Sequence, residues 1–506
     1  MKIDEQKILE EFENMSPEKQ EKVREQVNRL IKEDKQMKLP TGKIITFNDE
    51  QYEGIKKIRE WLKNDNIFFT LSGYSGTGKS TIIKKILDEN KRKRIVVSAP
   101  THKAKKVVMK TTGQEGETLQ SLLGLRPDVN LDDFNPNNPQ FNQIADAKMS
   151  RYNLIIIDEA SMINEDLFEM IKIEANNHFS VKILFIGDPA QIPPVHEKES
   201  VVFLNDSGVV DKYHLTQVMR QEDGNPLAIV YDNLRNSLTD LYGGIERKSA
   251  LNSKGEGVIF TNKNREFREK LKEVFITPEY RNNPEYGKLI AWRNTTVMES
   301  NRIIREFIFG KDVPMLVVND VLMAYRSVRD AKQFFNIIDN SEDYRVVNVS
   351  ERYENEYKMW GYKVNLRETL IDGKYKYQKV FILDHLDHEN LHHYAEMHDF
   401  LRDMGKLNKS KWKDYYAFRR NNLIMTTIDE YEDGSIRPNK EVIAKDLDYG
   451  YSITSHKAQG STYEHVMILE NDIDLNPKIK EKNQIKYVAL TRPSKTATVF
   501  TRLVEN

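Results

Sequence analysis

A glycine-rich stretch, Gly73-Tyr74-Ser75-Gly76-Thr77-Gly78-Lys79-Ser80-Thr81, joins the apolar run Ile67-Phe68-Phe69-Thr70-Leu71 to Ile82-Ile83-Lys84-Lys85-Ile86-Leu87. Glycines at this spacing let the backbone curl, so that N–H groups and the start of a following helix converge on an anion. Lys79 adds a mobile cation for terminal phosphates, and Ser80 an oxygen ligand for Mg2+. The chemistry that fits is binding of a nucleoside triphosphate, with Gly76, Thr77, Gly78, Lys79, Ser80 and Thr81 as the cradle. An empty glycine-rich turn is the competing reading, and partner motifs downstream decide between the two.

Two downstream stretches offer such partners. Leu154-Ile155-Ile156-Ile157 ends in Asp158-Glu159-Ala160-Ser161-Met162. An apolar strand ending in carboxylates delivers them to the C-terminal edge of a parallel sheet, where ligands of open α/β folds bind. Asp158 there would hold Mg2+ through water, and Glu159 would polarise the attacking water. Ile183-Leu184-Phe185-Ile186-Gly187-Asp188-Pro189-Ala190-Gln191-Ile192-Pro193-Pro194 ends a strand in a turn that presents Gln191, an uncharged group suited to sensing a γ-phosphate. Upstream, the Gln51 side chain offers a donor and an acceptor to an adenine edge; a plain surface glutamine is the alternative.

Strands and helices must carry these groups, and the chain alternates the two. Arg94-Ile95-Val96-Val97-Ser98-Ala99 reads as a buried strand delivering Pro100, Thr101 and His102 to a lysine-rich helix start. Hydroxyl, imidazole and ammonium groups so placed suit the phosphates of a nucleic-acid strand. Thr118 offers a second hydroxyl-bearing helix start; for both, a solvated helix start is the competing reading. Residues 126–150 break the rhythm with Pro127, Pro136 and Pro139 and two isolated aromatics, Phe134 and Phe141. Such aromatics stack on bases, wedge a duplex apart or anchor a loop.

Residues 1–45 carry two charged helical patterns, one with Ile8, Leu9 and Phe12, the next opened by Ser16-Pro17-Glu18 and striped with Val23, Val27, Leu30 and Ile31. They read as a docking or partner-binding appendage. The first α/β unit is expected over 46–210 and the second over 211–310 and 441–506, with a β-rich stretch at 311–440 between its parts. Within that stretch Glu368 to Tyr377 reads as a hairpin with an Asp-Gly turn. The segment Lys406 to Lys413 with Trp412 reads as a solvated helix face. His388 and His392 share helical spacing without a third ligand, so a polar surface is expected there.

Composition narrows the class. The chain has 506 residues, 31% charged and 39% hydrophobic, which fits several globular units. The absence of cysteine excludes disulfides, thiolate zinc sites and cysteine nucleophiles. A net charge of −1 means that any nucleic-acid partner is held by local groups, not by a global basic field. No run reaches the ~18 apolar residues that span a bilayer, and Met1-Lys2-Ile3-Asp4-Glu5 lacks the apolar core of a signal peptide. Cytoplasmic residence without a membrane partner is expected.

Taken in order, Gly-Tyr-Ser-Gly-Thr-Gly-Lys-Ser, Ala-Pro-Thr-His, Ile-Asp-Glu-Ala-Ser-Met and Gly-Asp-Pro-Ala-Gln-Ile-Pro-Pro resemble motifs I, Ia, II and III of superfamily 1 helicases. The resemblance is to the 5′-to-3′ branch, with the RecD-like helicases and the Dda-like helicases of T-even phages. Leu215-Thr216-Gln217-Val218-Met219-Arg220-Gln221 is similar to the motif whose arginine meets the γ-phosphate. Tyr451-Ser452-Ile453-Thr454-Ser455-His456-Lys457-Ala458-Gln459-Gly460-Ser461-Thr462-Tyr463-Glu464 is similar to motif V. Its hydroxyls and imidazole suit strand phosphates, and the resemblance assigns Gln459, Gly460 and Glu464 to the nucleotide. Lys486-Tyr487-Val488-Ala489-Leu490-Thr491-Arg492-Pro493 resembles motif VI, which makes Arg492 an arginine finger. Pro493 departs from the glycine or alanine of most relatives and puts the loop shape in question.

The resemblance implies an α/β fold of two tandem RecA-like P-loop domains with a small SH3-like β-barrel insertion and a pin-like insertion at 126–150. It implies an ATP-dependent DNA helicase, a functional monomer that moves 5′ to 3′ on single-stranded DNA and opens ss/ds junctions in phage-type replication or recombination, in the host cytoplasm if phage-encoded. Lys79, Asp158, Glu159, Gln191, Arg220 and Arg492 would do the chemistry on ATP with Mg2+. Pro100, Thr101, His102, Thr118, Ser455, His456 and Lys457 would hold the strand, with Phe141 as wedge. A single-strand-binding protein or replisome component would meet residues 1–45. An RNA helicase of the same superfamily and a non-translocating P-loop ATPase remain open at this point, because phosphate contacts do not report the 2′-OH.

Overall fold

The computed structural model describes residues 12, 14–38, 44–125, 145–177, 181–205, 208–209, 211–218, 225–239, 246–330, 336–370, 372–428 and 442–502. Phe134 and Phe141, Arg220, and the first N-terminal pattern with Ile8 and Leu9 lie outside the described residues.

Short apolar runs build the first sheet. Its strands are β1 (Phe68–Gly73), β2 (Ile95–Ala99), β3 (Gly116–Thr118), β4 (Leu154–Ile157), β5 (Lys182–Gly187) and β6 (Asp211–Leu215). They pair in the order β3-β2-β4-β5-β1-β6, all in parallel. Side chains of a strand alternate between faces, and here both faces are covered. Ile155, Ile157, Ile183 and Phe185 pack with Leu167, Phe168 and Ile171 of α6 (Glu165–Asn176). Leu154, Ile156, Leu184 and Ile186 pack on the other face with Ile55, Ile58 and Trp61 of α2 (Asp49–Trp61) and Ile82, Ile83 and Ile86 of α3 (Lys79–Glu89). Burial on both sides is why the central strands read as unbroken Leu/Ile/Val/Phe. The remaining helices of this unit are α4 (His102–Thr112) and the short α5 (Leu119–Leu122).

Two expected limits of this unit shift. Asp211–Leu215 is not the start of the next unit: it pairs with β1 in the register Leu71↔Tyr213 and closes the first sheet's edge. At the other end Gln36–Lys38 and Ile44–Thr46 form an antiparallel pair, and Met37 joins Phe47 in the first unit's core. Packed structure therefore begins before residue 45. Helix α1 (Pro17–Asp34) precedes it and buries none of its residues. Its stripe of Val27, Leu30 and Ile31 is exposed. Asp34 at its end is gripped by Arg59 of α2 through two 2.7 Å hydrogen bonds.

The second sheet uses β7 (Ala250–Leu251), β8 (Gly257–Thr261), β9 (Gly287–Ala291), β16 (Ser452–Thr454), β17 (Tyr463–Leu469) and β18 (Pro493–Phe500), ordered β16-β9-β17-β18-β8-β7. All neighbours are parallel except β7, which pairs antiparallel with β8. Helices α7 (Leu227–Thr239), α8 (Asn264–Phe275), α9 (Asn294–Phe309), α12 (Ser455–Ala458) and α13 (Ile479–Leu490) accompany it. The two mainly parallel sheets, each with its helices, stand in tandem as two α/β units.

Between α9 and β16 the chain builds an antiparallel sheet from β10 (Val321–Ala324), β11 (Asp343–Val349), β12 (Tyr353–Glu354), β13 (Trp360–Thr369), β14 (Tyr375–Leu383) and β15 (Leu447–Tyr449). β13 and β14 pair from Gly361↔Leu383 to Thr369↔Tyr375, and the turn between them holds Gly373 at φ 80. Helices α10 (His388–Leu407) and α11 (Trp412–Asn421) cover part of the hairpin's outer face, packing Tyr394 and Phe418 on Phe381 and Leu383. Trp412 sits against the backbone of Gly405, where an added Cβ would lie 2.8 Å from its ring. Because β15 supplies an edge strand, this unit extends past 440 to Tyr449, and only Gly450 and Tyr451 separate it from β16.

Candidate functional site

The glycine-rich loop leaves β1 and ends at α3, with Gly76 at φ 87 and Gly78 at φ 85, a backbone region that side chains disfavour. A Cβ on Gly78 would lie 2.3 Å from Gln51 Nε2. Gln51 is buried: its amide donates to Thr77 O at 2.9 Å, and its Oε1 accepts from Asn48 N at 3.1 Å in a capping box that starts α2. Gln51 thus braces the loop from beneath, and one donor and one acceptor are spent within the chain, not on a base. Lys79 Nζ donates to Gly73 O at 2.5 Å and Tyr74 O at 2.9 Å. Its ammonium is folded over the loop it belongs to. Ser80 is half-buried on the first turn of α3.

Asp158 and Glu159 follow β4 directly. Glu159 holds a left-handed backbone, φ 55 and ψ 41, in a non-glycine residue. Such strain costs on the order of 1–3 kcal/mol and marks places where geometry is enforced. Burial, then the adjacent Asp158 carboxylate, pushes the Glu159 carboxyl up to about 7, while the charges of Arg492 and Lys79 oppose the rise. Burial also raises Asp158, whose Oδ1 accepts from Glu159 N at 2.9 Å. Two buried oxygens here meet no donor: Glu159 Oε2 and Gln191 Oε1. Leaving such atoms unpaired is costly, and they are what an added ligand or its water would satisfy. Among the described residues no group of three or more His, Asp or Glu is set to hold a metal by itself.

The second unit closes on this edge. Gln459 Nε2 donates to Ser161 Oγ and to Ile192 O, both at 3.2 Å. Gly460, at φ 71, lies so close that a Cβ would meet Ala104 Cβ at 3.0 Å and Glu159 Cγ at 3.5 Å. Gln484 Nε2 donates to Gln191 O at 3.2 Å. Tyr487 OH donates to Asp188 Oδ2 at 2.6 Å and accepts from Ser75 N at 3.0 Å. Arg492 is buried at the end of α13, donating to Val488 O at 2.9 Å, Ser461 O at 3.1 Å and Thr491 Oγ1 at 2.8 Å. Pro493 opens β18, a position where a missing N–H costs no ladder bond. Glu464 stands apart on β17, paired with Lys495 at 2.7 Å.

Three threonines cap the helix starts at the strand ends. Thr101 Oγ1 accepts from Ala104 N at 3.1 Å, Thr118 Oγ1 from Ser121 N at 3.3 Å, and Thr454 Oγ1 from Lys457 N at 3.3 Å. A cap uses a hydroxyl lone pair and leaves the proton for another acceptor. Ser455 is buried with its hydroxyl 3.4 Å from Ala291 O, Pro100 is buried, and His456 is exposed. Lys457 lies over the Tyr325 ring at 4.7 Å and 3.4 Å from Asn340 Oδ1. His102 turns to the antiparallel unit: its Nδ1 is 3.1 Å from Asp339 Oδ1. Burial holds the His102 imidazole down at about 4, against the pull of Asp339.

Residues 46–251 match the family described as AAA domain. An uncharacterized protein of Acanthamoeba polyphaga mimivirus is 26% identical over 512 residues, spanning 88% of this chain and 98% of its own length. The ATP-dependent DNA helicase dda of Enterobacteria phage T4 is 23% identical over 474 residues, with 88% and 98% covered. Over 88% of its length the chain is thus similar to an ATP-dependent DNA helicase. Among solved structures, that of the Pif1 helicase from Bacteroides in complex with ADP-AlF3 and ssDNA aligns at a TM-score of 0.47 and 17% identity, covering 88% of this chain and 91% of that one.

Motifs of the superfamily 1 helicases located most of these groups, but not all. Tyr487, Asp188, Gln484 and Thr454 lie inside the quoted motifs or beside them and went unassigned, because their partners are distant in sequence. Arg235 of α7, whose guanidinium lies 5.0 Å from the centre of the Tyr74 ring, brings another cation of the second unit to the loop.

Proposed function

We propose that the chain is an ATP-dependent DNA helicase that translocates 5′ to 3′ along single-stranded DNA. The observation that carries this reading is the buried Glu159 carboxyl with an unpaired oxygen, against which Gly460 of the other unit packs while Gln459 bonds to Ser161 beside it. A site composed from two units responds to their separation. In this reading Lys79 swings from the Gly73 and Tyr74 carbonyls to the terminal phosphates. Glu159 and Gln191 orient water with the oxygens that lack donors, and Arg492 reaches the γ-phosphate from the second unit; Arg220, outside the described residues, is assigned to the same phosphate by its motif alone. Gln51 holds the loop, and Gln459 and Gly460 close the cleft over Glu159.

Ser80 and Asp158 would hold Mg2+, which neutralises phosphate charge when bound. The hydroxyls of Thr101, Thr118 and Ser455, with His102, His456 and Lys457, are proposed for the strand, with the antiparallel unit as the SH3-like insertion. Loss of the γ-phosphate removes what both units grip, so the cleft relaxes and the strand-holding groups shift relative to one another. DNA as the strand and the 5′-to-3′ direction rest on the relationship to the superfamily, and so does residence in the cytoplasm.

The test is ATP turnover with and without a single-stranded oligodeoxynucleotide. The expected result is a large stimulation by DNA, exceeding that by RNA, which Lys79→Ala abolishes. Equal rates with and without DNA, or turnover that survives Lys79→Ala, would overturn the assignment.

A further inference from the structure

The hydroxyl of Tyr487 is the one atom, among the described residues of α13, that bonds both to the phosphate loop and to the turn that presents Gln191. It belongs to the second unit; both partners belong to the first. Asp188 is fully buried, and its two oxygens are divided: Oδ1 accepts from Ala190 N at 2.9 Å, fixing the Gln191 turn, and Oδ2 takes the Tyr487 proton. The Asp188 charge reaches Glu159, whose carboxyl it helps raise. A bare carboxylate there opposes the arrival of an anionic nucleotide. Burial and Asp188 hold the Tyr487 hydroxyl far above the usual phenol range, so it stays protonated and able to donate at neutral pH.

We infer that Tyr487 is a positioning residue: by covering Asp188 and holding Ser75 N–H, it makes docking of the second unit a condition for a phosphate loop ready to accept a nucleotide. The inference rests on the nucleotide reading of this site and adds a carrier of inter-unit coupling other than an arginine. Without the hydroxyl, Asp188 Oδ2 loses its donor, Ser75 N–H loses its acceptor, and the carboxylate's field extends into the site. Neutralising Asp188 removes the charge that Tyr487 covers, so the two positions are coupled in a defined direction.

The experiment is equilibrium binding of a fluorescent, non-hydrolysable ATP analogue with Mg2+ to the full chain, to Y487F, to D188N and to the double variant. The expected outcome is that Tyr487→Phe weakens binding about tenfold in the parent, and less than about threefold in the D188N background. Thermal unfolding of the same samples identifies any variant that is merely unfolded. Equal weakening in both backgrounds, or parental affinity in Y487F, would overturn the inference while leaving the nucleotide site standing. A parent chain that binds no analogue overturns both.

Discussion

Glu159 and Gly460 face each other across the two units, and both hold positive φ. For Glu159 the strain aims a carboxylate; for Gly460 it lets a backbone reach that carboxylate without a side chain between. Gly460→Ala adds a methyl 3.0 Å from Ala104 Cβ and 3.5 Å from Glu159 Cγ, in a backbone region costing on the order of 1 kcal/mol for alanine. The expected result is a fall in DNA-stimulated kcat of about tenfold or more, since small misplacements of reacting groups are that costly. A parental rate in steady-state assays would show that Glu159 is not held by this contact. At this scale the positions of the candidate residues were legible. Lys79, Asp158, Glu159 and Gln191 each follow an apolar run, and a strand end is a place that a pattern can locate. Tyr487 and Asp188 were not legible, because nothing local says that residues so far apart share a hydrogen bond.

Helices α10 and α11 show what lies between residue and fold. His398 is buried on α10, with Nδ1 3.2 Å from Asp399 Oδ1 and Nε2 3.0 Å from Tyr415 OH of α11. Burial, then the charge of Arg419, holds its imidazole down at about 4. The unfolded chain takes up a proton near pH 6.5, the folded one only near 4. Stability from this group is therefore fully present above about pH 6.5 and is lost as pH falls toward 4. The expected loss between pH 7 and pH 5 is about 2 kcal/mol, read from urea midpoints, and His398→Gln should flatten that part of the slope. Identical slopes in parent and variant would refute it; His102, also held down, supplies a residual slope in both. Element limits were harder to read than element types. The strand Asp211–Leu215, with its alternating polar residues, carries no mark of which sheet it joins; only its pairing with β1 assigns it.

Among the described residues, one buried carboxylate touches all three units. Asp343 of β11 accepts from Lys103 of the first unit and from Lys288 of the second, each at 3.1 Å. Burial alone would raise it, but the two ammonium groups outweigh burial and hold it below the usual carboxylate range. Breaking such a buried set by removing one partner costs about 3 kcal/mol or more. Asp343→Asn should lower the unfolding midpoint accordingly and loosen the antiparallel unit from α4, which limited proteolysis would detect. An unchanged midpoint would mean that the three units are held elsewhere. Composition foretold none of this: a net charge of −1 conceals acids and bases that meet only once three sheets are assembled.

The path from β15 to β16 carries a mechanical implication. Lys288 also donates to Gly450 O at 2.5 Å, and the Tyr451 hydroxyl donates to Asp320 Oδ1 at 2.8 Å, so both residues of the junction are clamped. The antiparallel unit is thus a lever whose fulcrum abuts the strand ending in Thr454. Any rotation of that unit would be passed straight to the strand ending in Thr454, since only two clamped residues lie between.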